Sequence, residues 1–417
     1  MTDRKTILII GTYDTKDGEL HFVSDRIRKL GGDVLEMDVS VLGDPSRPTD
    51  ISKHDVAKAA DKSITDVIAA GDENVAMQIM AEGASKLTEQ LCAEGRIDGM
   101  IALGGTMGTD LALDCARALP LGVPKYVVST IAFSGLIAPD RLSADIQMIL
   151  WAGGLYGLND ICMATLSQAA GAVYGAAQAV VHPAPDRPVI GMTSLGSSAL
   201  KYMIHLRQPL IDRGFSVAVF HATGMGGMAL ESLAEQGYFA AVLDFTVQEV
   251  GNLMAGSLVN AGEDRMLAAG RRGTPVIAAP AFGDMIDFPA WQSPPGRFQD
   301  RDYHAHNRLI ASAFLTGEER RELARDVSAR LKQSKGPVEF LLPARGIHAW
   351  DVEGMPAHDP DALAEMVDEY RKVITEPVVL HDLDCHINDL AFADKALEVI
   401  DRWVADGTIR METEAQG

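Results

Sequence analysis

Short apolar runs that end in glycine-rich turns recur along this chain, and a stretch with helical spacing follows each of them. Thr6–Ile10 ends at Gly11, Ile97–Leu103 ends at Gly104, and Val217–His221 precedes a third glycine-rich turn. These runs are apolar throughout rather than alternating, which is typical of parallel strands buried on both faces. Strands that alternate with helices predict an α/β protein built on open, mainly parallel sheets with right-handed crossovers.

The same alternation of apolar runs, glycine-rich turns and helical stretches predicts the other strands and a division into two domains. The further predicted strands are Val34–Val39, Lys125–Ser129, Val189–Thr193, Ala240–Asp244, Pro275–Ala279, Val338–Leu342 and Val378–His381. Leu20, Val23, Ile27 and Leu30 share one face of a predicted helix. The Pro-rich segment His182–Arg187 separates two series of strand–glycine units, so we predict domains at residues 1–184 and 185–417. Ala281–Asp302 lacks periodicity and is predicted to be a long irregular segment with a functional role.

Composition limits the possible partners. The chain has 417 residues and a formal net charge of −21, which does not suit binding to nucleic acid or to anionic membranes. Its four cysteines are scattered without a C-x-x-C pair, which indicates neither a disulfide framework nor a structural zinc site. No apolar run reaches the roughly 18 residues of a membrane span, and the first residues do not have the pattern of a secretory signal. We therefore expect a cytoplasmic protein.

The loop after the first predicted strand is the first candidate ligand site. It reads Gly11-Thr12-Tyr13-Asp14-Thr15-Lys16, and ligands of open α/β sheets bind beyond the carboxyl ends of the strands. Two Thr hydroxyls, a carboxylate and an ammonium are suited to a phosphate and its metal ion. The loop is neither a Walker A motif nor G-x-G-x-x-G. The alternative is a plain strand-to-helix turn in which Thr15 or Asp17 caps the helix.

A second glycine-rich loop, Gly104-Gly105-Thr106-Met107-Gly108-Thr109, follows another predicted strand. Its glycines allow the backbone to approach a ligand closely, and the helix that begins there presents free N–H groups to a phosphate. Because two such loops follow separate strands of one domain, together they indicate a ligand site more strongly than either loop does alone. Thr49 and Gly71 lie in loops that are weaker candidates for contact with the same ligand.

The second domain has a glycine loop of its own, with Thr223, Gly224, Gly226 and Gly227 as candidate substrate-binding residues. A cradle for a phosphate or carboxylate and a plain strand–helix turn are equally consistent with this pattern.

Polar residues with catalytic potential concentrate in two later segments. His306, Asn307 and Arg308 lie in the first, and His386 and Asn388 in the second. Histidine can bind a metal or act as acid and base, but H-E-x-x-H is absent, and a lone His is more often structural. We assign candidate catalytic roles to His306, Arg308 and His386 and candidate substrate contacts to Asn307 and Asn388. We expect the two segments to converge on one cleft.

Five motifs, in order, resemble those of the Tm-1-like ATP-binding proteins, a family of two-domain bacterial and fungal proteins that includes the inhibitor domain of the tomato mosaic virus resistance protein. The motifs are GTYDTKDGEL, GGTMGT, HATGMGGMALE, DYHAHNRLI and HINDLAFAD. Leu230, Arg308 and Leu390 depart from the family pattern, which has Met, Pro and Pro at these positions. All three departures lie in motifs of the predicted second domain.

The resemblance implies two Rossmann-like doubly wound domains, ATP bound in the first, and a homodimer or larger homo-oligomer. The ATP contacts that it implies are Thr12, Asp14, Thr15, Lys16, Thr49, Gly71, Gly104, Gly105, Thr106, Met107, Gly108 and Thr109. Mg²⁺ is a candidate companion of the nucleotide, with Asp14 or Asp110 holding its waters. The inhibition of a viral replication protein by the plant relative is not carried over.

Two functions follow from these observations, and a third is disfavoured. The first is an enzyme that acts with ATP on a small anionic metabolite, such as a sugar acid or carboxylate, at a site on the domain interface. The alternative is a nucleotide-sensing regulatory module without catalysis. An NAD-dependent dehydrogenase is disfavoured because no loop has the G-x-G-x-x-G spacing.

Overall fold

The chain divides into two compact units, Met1–Pro183 and Ala184–Gly417. The computed structural model describes residues 4–181, 186–196 and 200–411, so the predicted linker His182–Arg187 lies partly outside the described residues. We refer to the two parts as the N-terminal unit and the C-terminal unit.

The sheet of the N-terminal unit has five strands, and every pair in it is parallel. The strand order is β2-β1-β3-β4-β5. The strands are β1 (Thr6–Gly11), β2 (Asp33–Asp38), β3 (Gly99–Gly104), β4 (Lys125–Ser129) and β5 (Ile146–Leu150). The order reverses between β1 and β3, and in such sheets a crevice opens at the carboxyl ends of the two strands where the order reverses.

Helices cover both faces of this sheet. They are α1 (Tyr13–Lys29), α2 (Lys53–Ala59), α3 (Ile64–Ala69), α4 (Glu73–Ala93), α5 (Thr106–Arg117) and α6 (Asp160–Ala179), with a 3₁₀ turn at Pro139–Arg141. Alternate residues of β1 enter different cores, because side chains point to opposite faces along a strand. Leu8 and Ile10 pack in the core that includes α4 and α5, whereas Ile7 and Ile9 pack in the core that includes α1 and α6.

The C-terminal unit repeats this arrangement with six parallel strands in the order β14-β13-β9-β8-β6-β7. The strands of this sheet are β6 (Val189–Ser194), β7 (Ser216–His221), β8 (Ala241–Thr246), β9 (Val276–Ala281), β13 (Val338–Pro343) and β14 (Val378–Leu383). A second, antiparallel sheet in the order β10-β12-β11 is formed by β10 (Met285–Pro289), β11 (Tyr303–Ala305) and β12 (Ile310–Phe314).

The helices of the C-terminal unit again follow the strands. They are α7 (Tyr202–Asp212), α8 (Met225–Glu235), α9 (Gln248–Met254), α10 (Ala268–Arg272), α11 (Gly317–Leu331), α12 (Pro360–Val373) and α13 (Leu390–Ala405), with a 3₁₀ turn at Gly296–Phe298. The predicted fold class, two doubly wound α/β domains with mainly parallel sheets, is confirmed.

Three local predictions differ from the structure. The segment predicted to be irregular, Ala281–Asp302, contains β10, and the strands β5, β11 and β12 were not predicted. β10 pairs with β12 across a long sequence separation, which local periodicity does not reveal, whereas β11 is a strand of three residues in a hairpin with β12 and is too short to show a periodic pattern. In α1, Leu20, Val23 and Ile27 are fully buried as predicted, but Leu30 lies just beyond the helix and is 46% exposed.

Candidate functional site

A cleft of about 980 Å³ opens in the N-terminal unit and is lined by the loops after β1 and β3. These strands are neighbours at the point where the strand order reverses, which is the position that ligands occupy in this class of sheet. The predicted ATP contacts that line the cleft are Thr12, Asp14, Thr15, Lys16, Gly71, Gly105, Thr106, Met107 and Gly108. The structure therefore brings together residues up to 96 positions apart in the sequence.

Lys16 places a positive charge in this cleft. Its backbone departs from helical geometry within α1, with φ −128° and ψ 25°. The ammonium lies 3.0 Å from Thr12 Oγ1 and 3.1 Å from Thr15 Oγ1. Burial lowers the pKa of Lys16, and Asp14 and Glu19 partly oppose this shift. Among the residues that the structure describes, Lys16 has no salt-bridge partner, so the ammonium is available to an anionic ligand.

The N-terminus of α5 forms another part of the cleft. Gly105 is the N-cap residue, and no side chain caps this end of the helix. The first amide N–H groups of a helix lack intrahelical partners and carry partial positive charge. A Cβ atom on Gly105 would lie 3.9 Å from its nearest neighbour, Thr130 Oγ1, so glycine is not required there by packing. The arrangement is suited to binding a phosphate group.

Three predicted ATP contacts do not line the cleft, and each has a structural role instead. Gly104 packs so closely against α5 that a Cβ atom would lie 2.5 Å from the Thr109 nitrogen. Thr109 is fully buried, and its hydroxyl lies 2.7 Å from Ser129 Oγ. Thr49 donates a hydrogen bond to the carbonyl of Ile51 at 3.1 Å.

The apolar part of the cleft was not predicted from the sequence. It is formed by Val41, Leu42, Val67, Ile68 and Met77, and Leu42 is 75% exposed. The signal available in the sequence was the position of Val41 and Leu42 directly after the second strand. Tyr156 also lines the cleft and is 96% exposed. Exposed apolar and aromatic side chains in a cleft are suited to contact with a flat ring system.

The two aspartates that were candidates for holding Mg²⁺ differ in their surroundings. Asp110 forms a salt bridge with Arg141 at 2.6 Å and does not line the cleft. Asp14 lines the cleft, and its buried Oδ1 has no hydrogen-bond partner. Asp14 is therefore the better placed of the two to bind the water of a metal ion. No group of three or more His, Cys, Asp or Glu side chains within the described ranges is arranged to hold a metal.

The predicted cradle of the C-terminal unit is already filled by an internal carboxylate. The amides of Gly224 and Gly227 donate hydrogen bonds to Glu249 Oε1 at 2.6 and 3.1 Å, and Glu249 is fully buried. Gly226 lies so close to the carbonyl of His221 that a side chain would overlap it. Thr223 shares this loop, where its amide bonds to the same His221 carbonyl at 2.8 Å. The loop amides of Gly224 and Gly227 are thus not free to bind a substrate anion.

Glu249 belongs to a buried network centred on Arg265. The guanidinium donates to Glu249 Oε2 at 2.7 Å, to Glu231 Oε1 at 3.1 Å and to Asp244 Oδ1 at 2.6 Å. Arg265 has no exposed surface. Burial raises the pKa of Glu231 to about 7, although the charge of Arg265 opposes this. One cation therefore bonds to three carboxyl groups, and the network binds the glycine loop to β8 and to the segment before α10.

The first predicted catalytic segment forms the turn between β11 and β12. Asn307 Oδ1 accepts hydrogen bonds from the amides of Leu309 and Ile310 at 2.7 and 3.2 Å, which stabilises the turn. Arg308 is exposed at its tip. His306 differs from both, because it lines a cavity of about 240 Å³. Its Nε2 lies 2.7 Å from Ser312 Oγ.

The second predicted catalytic segment is held by structural hydrogen bonds. His386 Nδ1 accepts from the amide of Asn388 at 3.0 Å, and its Nε2 lies 3.1 Å from the carbonyl of His348. Burial opposes ionisation, but the hydrogen bond and charge of Asp351 raise the pKa of His386. Asn388 Oδ1 accepts from the amide of Lys201 at 2.7 Å. Both ring nitrogens of His386 are occupied. Of the five site residues predicted in the two segments, His306 alone lines the 240 Å³ cavity, so the two segments do not converge on it.

These features define a two-domain, doubly wound α/β protein with a cleft at the switch point of its first sheet. Residues 5–182 match the N-terminal domain, and residues 187–404 the C-terminal domain, of the Uncharacterised protein family (UPF0261). The chain belongs to this family.

Relatives match over nearly the whole chain. A UPF0261 protein of Brucella melitensis is 53% identical over 408 residues, which cover 98% of each chain. A UPF0261 protein of Clostridium tetani is 34% identical over 93% of this chain and 96% of its own. The ToMV susceptible protein tm-1(GCR26) of Solanum lycopersicum is 27% identical over 94% of this chain and 55% of its own. These matches confirm the resemblance to the Tm-1-like family.

Among the described residues, no helix has both the length and the apolarity that crossing a membrane requires.

Proposed function

We propose that the N-terminal unit binds ATP in the cleft between the loops that follow β1 and β3. The observation that carries the proposal is the half-buried ammonium of Lys16, which has no salt bridge among the described residues and shares the cleft with the uncapped N-terminus of α5. Burying a cation costs free energy unless an anion or strong hydrogen bonds compensate. A polyphosphate would supply the missing negative charge to the ammonium and to the amides of α5.

The remaining lining is consistent with the rest of a nucleotide. The apolar side chains of Leu42, Ile68 and Met77 offer a surface for a base. Asp14, whose side chain lines the cleft, is a candidate to bind the water shell of a bound Mg²⁺. The volume of about 980 Å³ lies at the upper end of the range usual for cofactor sites. The resemblance to the Tm-1-like ATP-binding proteins supports this proposal.

The proposal does not include a sugar acid or carboxylate as a companion substrate. One part of that hypothesis placed the anion on free amides in the glycine loop of the C-terminal unit, and Glu249 occupies the amides of Gly224 and Gly227. An enzyme would convert ATP to ADP, whereas a nucleotide-sensing module would only bind ATP. Release of ADP from ATP and Mg²⁺ by the full-length protein would favour the enzyme, and ATP binding without ADP release would favour the module.

Substitution of Gly105 by Val tests the binding site. The valine would place branched carbons at the mouth of the α5 N-terminus, while its Cβ has only Thr130 Oγ1 nearby at 3.9 Å. We expect the ATP affinity, measured by calorimetry, to fall at least about tenfold, or about 1.4 kcal/mol.

Gly135→Val is the matched control, because a Cβ atom there has no neighbour within 4 Å and Gly135 does not line the cleft. We expect this control to bind ATP like the wild type. A folded Gly105→Val protein with unchanged ATP affinity would contradict the proposed site.

A further inference from the structure

The antiparallel sheet of the C-terminal unit presents one face to the 240 Å³ cavity. In the strand register, Asp287 pairs with Ser312, and Ser312 pairs with His304. Residues directly opposite each other in antiparallel strands share a face, so these three side chains form a row across the sheet. His304 and Ser312 line the cavity, together with His306 from the turn that joins their strands.

A continuous hydrogen-bonded chain connects the cavity to a buried carboxylate. The Ser312 hydroxyl donates to Asp287 Oδ1, and Ser312 Oγ lies 2.7 Å from His306 Nε2. Ser312 and Asp287 are only 1% and 4% exposed, so water does not compete for these bonds. No described residue hydrogen-bonds to the other ring nitrogen of His306, Nδ1. The His306 imidazole therefore uses Nε2 in the hydrogen-bonded chain and has Nδ1 available to a ligand.

The pKa values of Asp287 and His306, the two ends of this hydrogen-bonded chain, are shifted in opposite directions. Burial raises the pKa of Asp287 to about 6, although the hydrogen bond from Ser312 opposes the shift. Burial, with a smaller effect from His304, lowers the pKa of His306. The pKa of Asp287 therefore shifts towards that of an ordinary His, and the pKa of His306 shifts towards that of an ordinary Asp.

We propose that this cavity is an acid–base site in which His306 is the catalytic residue and Ser312 and Asp287 are positioning residues that relay its proton. A proton leaves a C–H or O–H group of the substrate and binds to His306 Nδ1. The proton on Nε2 then passes to Ser312 Oγ, and the Ser312 hydroxyl proton passes to Asp287 Oδ1. The substrate becomes an anion, Asp287 becomes neutral, and His306 and Ser312 keep their number of protons. The reverse sequence returns the proton.

The lining indicates the class of substrate. No Lys, Arg, Asp or Glu side chain is among the described residues that line the cavity, which includes the apolar side chains of Met285, Phe314 and Trp350. The indole of Trp350 lies against the His306 imidazole, with ring centroids 5.0 Å apart and planes 25° apart. We infer a small, uncharged and flat molecule with one acidic C–H or O–H group. This inference does not depend on ATP binding in the N-terminal unit.

The probe 5-nitrobenzisoxazole tests for such a base, because it is uncharged and flat and carries one acidic C–H. Removal of that proton breaks the N–O bond and forms a coloured 2-cyano-4-nitrophenolate, with no other reactant required. We expect the full-length protein to accelerate this reaction. His306→Ala should reduce the rate constant by about 10²–10⁴-fold, the usual contribution of a general base.

Two further variants test the relay. Asp287→Asn and Ser312→Ala should each lower kcat at least about tenfold and leave KM unchanged, because neither change alters the apolar lining. His205→Gln, on α7 and outside the cavity, is the matched control and should retain the wild-type rate. Thermal unfolding of each variant shows that the fold is intact.

The outcomes separate the parts of the proposal. A wild-type rate no higher than that of folded His306→Ala overturns the acid–base site. A rise in KM with unchanged kcat in Asp287→Asn and Ser312→Ala overturns the relay, since these residues would then only shape the cavity. Calorimetry with ATP on the same proteins is expected to be unchanged, so failure here does not affect the nucleotide site.

Discussion

At the scale of single residues, the C-terminal unit depends on one buried guanidinium. Arg265 bonds to Asp244, Glu231 and Glu249, and it has no exposed surface. Carboxylates buried in a low dielectric repel each other and lose hydration, so a cluster of three requires a cation. Glu249 also holds the glycine loop through two amides. The glycine-rich motif of that loop therefore belongs to a structural hydrogen-bond network and does not form an open anion site.

Replacing this cation is expected to destabilise the C-terminal unit strongly. Arg265→Met leaves three buried carboxyl groups without the cation that pairs with them, and removal of one member of a buried ion pair typically costs about 3–5 kcal/mol. Urea denaturation followed by fluorescence measures the change in the free energy of unfolding. Arg271→Met is the control, because its salt bridge with Asp264 is exposed and such pairs contribute about 0–1 kcal/mol. Equal effects of the two substitutions would contradict the role assigned to Arg265.

At the scale of elements, the junction between β3 and α5 separates a structural glycine from a ligand-facing one. A side chain on Gly104 would meet backbone atoms of Gly108 and Thr109, which cannot move without displacing α5. A side chain on Gly105 would project into the cleft region beside Thr130. Adjacent residues of one motif thus have different roles, because the chain turns between the end of the strand and the start of the helix.

Gly104→Ala is accordingly expected to reduce stability rather than ligand affinity directly. Overpacking of this kind costs about 1–3 kcal/mol, and a lower melting temperature of the N-terminal unit measures it. Gly171→Ala in α6 is the control, since a Cβ atom there has no neighbour within 4 Å and alanine favours helix. A Gly104→Ala protein as stable as the wild type would show that the junction has more room than the structure indicates.

At the scale of the whole molecule, the two units share one topological plan. In each, the parallel sheet begins with its first strand inside and its second strand at the edge, and the order then continues through the remaining strands on the other side. Only the C-terminal unit adds the antiparallel sheet β10-β12-β11, on which the proposed acid–base site lies. The same plan therefore carries the proposed nucleotide site at the switch point in one unit and the proposed acid–base site on an added sheet in the other.

The assembly state is a prediction that rests on the family resemblance. We expect a homodimer or larger homo-oligomer, which light scattering at micromolar concentration measures directly. Because the chain has a mass of 44.7 kDa, a dimer would scatter as about twice that mass. Measurements at low and high salt form the control, since a net charge of −21 makes like-charged chains repel when screening is weak. A mass of 44.7 kDa under both conditions would contradict the prediction.

The sequence by itself determined the fold class and identified the two loops that line the cleft of the N-terminal unit. Buried parallel strands are short and apolar throughout, and helices repeat every 3.6 residues, so both leave local patterns. Loops such as Thr12–Lys16 and Gly105–Gly108 are recognisable because strand-to-helix turns that leave amides free have a local composition of glycine and small polar residues. The structure places both of these loops in one cleft.

Only the tertiary structure decided which polar residues face a cavity and which are satisfied within the protein. Glu249 fills the second glycine loop from 22 residues away, and His386 is bonded by a segment 38 residues away. Ser312 and Asp287 are 25 residues apart in the sequence, and they are in contact because the antiparallel pairing of β10 with β12 places them opposite each other. Hydrogen bonds and antiparallel pairing across such separations depend on where the chain returns in space, and local sequence patterns do not contain that information.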